Sequence, residues 1–237
     1  MPQSEHFSKQ YDSDLENVHS RVLQMGGVVE TQILSAIECL SSGDPERMAG
    51  VVENEFRVNA YEVEIDDLCV HIVARRQPAA RDLRLIMGAS KAVTDLERMG
   101  DEAEKIARMA GHIHERRGLQ IPRLAEVRSA GDLAVAQLRR ALDAMARLDP
   151  DEAERIIRED RLLDDAFRCI LRQLVTYMME DPRTISTALE IVWIAKAIER
   201  IGDHAKNVAE QVIYIVRGTD VRHVSKERRR NDPGGGV

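Results

Sequence analysis

The sequence predicts an all-α protein made of two tandem, pseudo-symmetric three-helix bundles in an elongated arrangement. Three observations lead there. Apolar residues recur at spacings of three and four through nearly the whole chain, the mark of amphipathic helices. Aromatic residues are 3% of the 237 positions and charged ones 32%, which suits long helices better than the aromatic and β-branched strands of a sheet. One segment also occurs twice: Leu96-Glu97-Arg98-Met99-Gly100-Asp101-Glu102-Ala103 returns 102 positions later as Ile198-Glu199-Arg200-Ile201-Gly202-Asp203-His204-Ala205. One structural unit is therefore used twice, and a site on one copy should have a counterpart on the other.

The first helix carries Leu15, Val18, Val22, Met25, Val29, Ala36 and Leu40 and ends near Ser41-Ser42-Gly43. Asp44-Pro45 supplies an N-cap and a first-turn proline for the second. That helix carries Val51, Val58, Ile65, Leu68 and Ile72 and stops before Pro78. The third steps from Leu85 through Ala89, Ala92, Leu96, Met99, Ala103, Ile106 and Ala110 to Ile113, and Gly118 to Pro122 is the linker. The second set follows the same plan. Val127, Gly131, Ala134, Leu138, Ala141, Met145 and Leu148 form the fourth helix, closed by Asp149-Pro150 at an offset of 105 from Asp44-Pro45. Ile156, Leu163, Phe167, Ile170, Leu174 and Tyr177 form the fifth, which ends at Asp181-Pro182. The sixth runs from Ile191 through Ile194, Ile198, Ile201, Ala205, Val208 and Val212 to Ile215. The offset falls from 105 to 102 because the turn between the second and third helices is three residues longer in the first half. The expected bundles span 11–117 and 123–218, with 1–10 and 224–237 as flexible tails. Helices of about 30 residues reach about 45 Å. Coiled-coil-like packing buries their inner stripes and leaves long outer faces free.

Composition narrows the function. A formal charge of −7 argues against a general nucleic-acid binder, which needs a basic surface; Arg228-Arg229-Arg230 precedes Pro233-Gly234-Gly235-Gly236 and reads as a solvated tail. No apolar run approaches the roughly 20 residues of a membrane span, and Met1-Pro2-Gln3-Ser4-Glu5 is not a charged-then-apolar leader. Cys39, Cys69 and Cys169 are odd in number, widely spaced and set among apolar helical residues, as expected of reduced core cysteines in a cytoplasmic protein.

Chemistry concentrates in repeated acids. Glu97 and Asp101 lie four residues apart on one helical face, as do Glu199 and Asp203, where they repel unless a cation or partner neutralises them. Glu55 and Asp160 are repeat-equivalent, fall where the stripe expects an apolar residue, and have the equivalent neighbours Asn59 and Asp164. A buried acid is costly unless paired or bound to metal. Each bundle thus offers four oxygen-bearing side chains from two helices: Glu55, Asn59, Glu97 and Asp101, then Asp160, Asp164, Glu199 and Asp203. Hard oxygen donors in this pattern suit a divalent or iron-type cation. The competing reading is an ordinary solvated face screened by Arg98, Arg200 or Lys105. Gly100 and Gly202 would let a ligand or another backbone come close. Glu62 and Asp66 form a further pair in the first half only. His112 and His114 suit a helix C-terminus, and His204 could join the second site or lie on the surface. Glu16-Asn17-Val18-His19 has the Glu-x-x-His spacing of di-iron bundles, but no second copy exists. No nucleophile–base arrangement, phosphate loop or Cys-x-x-Cys is present, so an enzyme is not expected; a metal-dependent, di-iron-like helical enzyme is the alternative.

Gln77-Pro78 with Asp82-Leu83-Arg84, then Asp95-Leu96-Glu97-Arg98-Met99-Gly100-Asp101, resembles the first repeat of the PhoU family. Ile198 to Glu210 resembles its second repeat, and Gln173-Leu174-Val175-Thr176-Tyr177-Met178-Met179-Glu180-Asp181 is similar to its enterobacterial members. The resemblance runs from about Asp14 to His223. It implies a cytoplasmic, homodimeric pair of three-helix bundles with metal clusters on Glu/Asp-x-x-x-Asp motifs. It further implies a negative regulator of phosphate uptake and of the phosphate-starvation response, linking the phosphate transporter's ATPase to a sensor histidine kinase and meeting the membrane only through partners. Glu97, Asp101, Glu199 and Asp203 fit the motif in full, and Asp160 and Asp164 fit on the fifth helix. Asn59 replaces an acid on the second, which weakens the expectation of metal in the first bundle.

Overall fold

The computed structural model describes residues 3–115 and 124–221. They form seven α-helices: α1 Gln3–Ser42, α2 Pro45–Arg76, α3 Ala80–Glu115, α4 Leu124–Arg147, α5 Pro150–Glu159, α6 Arg161–Glu180 and α7 Ile185–Arg217, with a 3-10 turn at Pro182–Thr184. No strand occurs among the described residues. α1 begins inside the segment expected to be an N-terminal tail. The expected linker and C-terminal tail lie outside the described residues.

The predicted caps form. The Asp44 carboxylate accepts from the Glu46 N–H at 3.0 Å, and Asp149 accepts from Asp151 and Glu152, both at 3.0 Å. Each relieves donors that the first turn cannot satisfy internally. α2 ends at Gln77, whose φ of 49° is left-handed, and α7 ends at Gly218, with φ 71°. The expected fifth helix is two, α5 and α6. The interruption falls at Asp160, which keeps right-handed helical angles (φ −48°, ψ −29°). The ladder therefore loosens without a change of direction, at the residue whose carboxylate is drawn onto Lys206.

The two bundles share one core. α1, α2 and α3 pack together, as do α4, α5, α6 and α7, and α3 lies along α7 while α1 lies along α4. Both contacts are antiparallel: Gly88 meets Ile215 while Glu102 meets Arg200, and Gly26 meets Leu142 while Ile37 meets Gly131. A Cβ on Gly88 would stand 2.6 Å from the Ile215 side chain, so the glycine is required by close approach of the helices. Polar bonds cross both contacts. His19 of α1 donates to the Met145 carbonyl at 2.9 Å, and His204 Nδ1 and the Asn207 amide both reach Asp95 Oδ1, at 2.8 and 2.9 Å. His114 donates to the Leu40 carbonyl at 3.1 Å and so closes α1 rather than its own helix.

Two expectations change here. His204 is buried and bound to α3, neither on the surface nor among the acids of the second site. Cys39 and Cys69 are buried as expected, but Cys169 is exposed, because the buried stripe of α6 runs through Leu163, Ile170 and Leu174 and passes it by.

Candidate functional site

In the first bundle, α2 and α3 bring Glu55, Glu62, Glu97, Asp101 and Glu104 within electrostatic reach of one another. Burial pushes the Glu55 carboxyl above the usual carboxylate range, against the help of its Gln32 hydrogen bond, and the charges of Asp101 and Glu104 push the same way. Glu97 is raised by burial and then by Asp101, Glu62 and Glu55; Glu62 is raised by burial, Asp66 and Asp101. The i, i+4 acids of α3 are half-buried against α2 and do not face away into open water. Asn59 is exposed at the edge. It favours the charged form of Glu55, yet Glu55 Oε1 has no hydrogen-bond partner.

The inner wall was not foreseen. Gln32 of α1 is fully buried, and its Nε2 donates to Glu55 Oε2 at 2.8 Å, the Val51 carbonyl at 3.2 Å and the Gly100 carbonyl at 3.4 Å. Its Oε1 has no hydrogen-bond partner. A Cβ at position 100 would meet Glu55 Oε2 at 2.8 Å and Gln32 Oε1 at 3.1 Å, so the motif glycine makes room for these two side chains. Gly100→Ala should therefore destabilise the protein by about 1–3 kcal/mol through overpacking. Gly27→Ala, where nothing lies near the new methyl, should instead stabilise by up to about 1 kcal/mol from helix propensity. Urea midpoints of the two variants check this; shifts of the same sign would show that the Gln32–Glu55 wall yields freely.

The second bundle repeats the plan with different charges. Asp203 is raised by burial, then by Glu199 and Asp160, with Lys206 opposing and Asp164 adding. All four expected acids are thus gathered. Gln137 of α4, 105 positions after Gln32, donates to the Gly202 carbonyl at 3.2 Å. Here, however, Lys206 Nζ lies 2.6 Å from Asp160 Oδ2, and Lys196 pairs with Glu199 while its ammonium lies 5.3 Å above the Phe167 ring. Burial alone would lower the Lys206 pKa, but the hydrogen bond and charge of Asp160, with Asp203 and Glu210, outweigh it and hold the ammonium form.

Among the described residues, no three His, Cys, Asp or Glu side chains converge into one ready coordination group. The donor chemistry of the α2–α3 face nevertheless fits a hard cation, since carboxylates and an amide oxygen meet there and two of the buried oxygens have no hydrogen-bond partner. On the α6–α7 face the same need is met by lysine. The Glu16-x-x-His19 element lends no support to a di-iron site, because His19 is committed to the carbonyl of Met145.

Comparison with known proteins gives a consistent picture. The PhoU domain family matches residues 22–110 and again 127–212. A phosphate-specific transport system accessory protein PhoU homolog of Pseudomonas aeruginosa is 48% identical over 228 residues, covering 96% of this chain and 93% of its own. The Escherichia coli K12 phosphate-specific transport system accessory protein PhoU is 44% identical over 221 residues, covering 93% and 91%. The crystal structure of PhoU from Pseudomonas aeruginosa superimposes with a TM-score of 0.85 at 48% identity, over 88% of this chain and 100% of that one. A phosphate transport system regulatory protein PhoU from Streptococcus pneumoniae shares the fold, with a TM-score of 0.81 at 23% identity over 89% and 99%.

Proposed function

The chain belongs to the PhoU family, and from that premise we propose that it is a non-enzymatic negative regulator of the phosphate-starvation response and of phosphate uptake. It acts in the cytoplasm, as a homodimer, as a metal-binding adaptor between the ATPase of the phosphate transporter and a sensor histidine kinase. The observation that carries this reading is the twofold Glu-Arg-x-Gly-Asp motif, each copy on a helix of the same fold and lined by a glutamine, Gln32 fully buried and Gln137 half-buried, that donates to the motif glycine's carbonyl. Relatives similar over nearly the whole chain are named as accessory proteins of phosphate transport, which supports a regulatory role over the di-iron-like enzyme.

The mechanism is differential binding. A transporter ATPase that changes conformation with phosphate flux presents different contacts to the adaptor, and the adaptor's hold on the kinase changes by the same coupling free energy. Coupling of about 1–3 kcal/mol shifts affinity roughly 5- to 150-fold, enough for a switch. No helix among the described residues is long and apolar enough to cross a membrane; in this reading the adaptor meets the transporter through its ATPase. The outer face of α2 supports a contact role: Phe56, Val63 and Val70 repeat every seven residues and are 72%, 63% and 67% exposed. Where a cation is bound, Glu55, Glu97 and Asp101 hold it in the first bundle. Its charge relieves the repulsion among the acids and fixes α2 against α3.

The test is alkaline phosphatase activity in phosphate-replete cells lacking this gene, with and without a plasmid copy. High activity silenced by the copy is the expected result; activity that stays low without the gene would remove the signalling role.

A further inference from the structure

The two acidic faces come from one repeat, yet position 104 in the first half is Glu and its counterpart 206 in the second is Lys. Resting on the reading of these faces as cation sites, we propose that they are not equivalent. The α2–α3 face takes a divalent cation, with Gln32 and Glu55 as its buried floor. The α6–α7 face is already filled by this chain's own cation, the Lys206 ammonium.

The first half of the argument is the floor. Gln32 is fully buried and Glu55 is 8% exposed, and each has one side-chain oxygen with no hydrogen-bond partner. The orientation of the Gln32 amide is set by its surroundings, because all three of its Nε2 contacts are oxygens. Reversing the amide would set oxygen against oxygen 2.8 Å from Glu55 Oε2. Gln32 Oε1 is therefore held beside the Glu55 carboxylate, next to Gly100. Two buried oxygens without a partner are costly; Asn59 at the exposed edge favours the Glu55 carboxylate, and the charged neighbours that act on Glu55 are acids, Asp101 and Glu104, with Glu62 and Glu97 beside them. An amide oxygen with carboxylates is a donor set for a hard divalent cation.

The second half is the occupant of the other face. Lys206 Nζ lies 2.6 Å from Asp160, the residue equivalent to Glu55, and Lys196 neutralises Glu199. Leu163 stands against Gly202 where Glu55 stands against Gly100. The acid at this floor is already bonded, and a divalent cation entering here would meet a fixed positive charge.

Mn2+ binding to the purified full-length chain, stripped with chelator and followed by calorimetry and by electron paramagnetic resonance, tests the proposal. Wild type should show one tight class of sites, lost in Glu97→Ala and weakened about tenfold or more in Gln32→Leu. Lys206→Met should add a second class that Glu199→Ala then removes, while Lys206→Arg, which keeps the charge, should match wild type. Helical content by circular dichroism confirms that each variant is folded. Two equal classes in wild type, unchanged by Lys206→Met, would overturn the inequivalence and leave the cation reading standing. No Mn2+ binding by wild type or any variant would overturn the cation reading itself.

Discussion

Replacing Arg200 and Lys105 together by alanine should destabilise the fold by about 3–5 kcal/mol, because it strands a buried carboxylate. Glu102 is 3% exposed, and its Oε1 lies 3.1 Å from both Lys105 Nζ and Arg200 Nη1. The two cations keep access to water, with side chains 38% and 48% exposed; the acid has none. Truncating the cations leaves the acid desolvated, whereas truncating the acid leaves the cations solvated. Glu102→Leu added to the double variant should therefore recover most of the loss. At roughly 2–4 °C per kcal/mol for a chain of this size, the double variant should melt about 6–20 °C lower. A loss under about 1 kcal/mol would show that the Glu102 charge contributes little to holding α3 on α7.

That contact explains a motif residue the sequence left open. Arg200 sits between Glu199 and Asp203 and looks like a screen for them, but it reaches across to Glu102 on α3. Opposite its repeat partner Arg98, the residue equivalent to Glu102 is His204, which turns to Asp95 instead. The periodicity of three and four made each helix readable, and the repeat made the two bundles readable, because both depend on which faces are apolar. The antiparallel packing of α3 on α7 was not readable. Both helices carry apolar residues beyond one stripe, and nothing local says which bundle partner takes the surplus. Gln32 and Gln137 were within reach: each is a polar residue inside an apolar stripe, and they stand 105 apart, as do Asp44 and Asp149. Lys206 was missed for a different reason. A lysine three residues after Asp203 reads as surface charge, and only the fold sets it against Asp160. Glu62, half of a pair that the sequence shows in the first half only, belongs to the α2–α3 cluster; the Glu without a repeat counterpart marks the difference between the halves.

Leu96→Ala and Ile198→Ala should each cost about 2–5 kcal/mol, since both side chains are buried at repeat-equivalent places and each truncation leaves a cavity. Their response to cation should differ. A ligand that binds only the folded state stabilises a two-state protein wherever the lesion lies, by about 2.7 kcal/mol at a hundred times its dissociation constant. Saturating Mn2+ should therefore raise Ile198→Ala by about as much as wild type. Leu96 adjoins Glu97, is fully buried, and stands one turn before Gly100, which meets Gln32, Glu55 and Val58 of the first bundle. A cavity there lets α3 shift relative to α2, which spoils the spacing of Glu97 and Asp101 from Glu55 and weakens the cation's grip. Leu96→Ala should then gain at least 1 kcal/mol less from the same Mn2+, a roughly five- to tenfold loss of affinity. Urea melts with and without Mn2+ give both numbers. Equal gains in the two variants would mean that the cation is not held between α2 and α3, because a site built from those helices cannot ignore the residue that seats one of them.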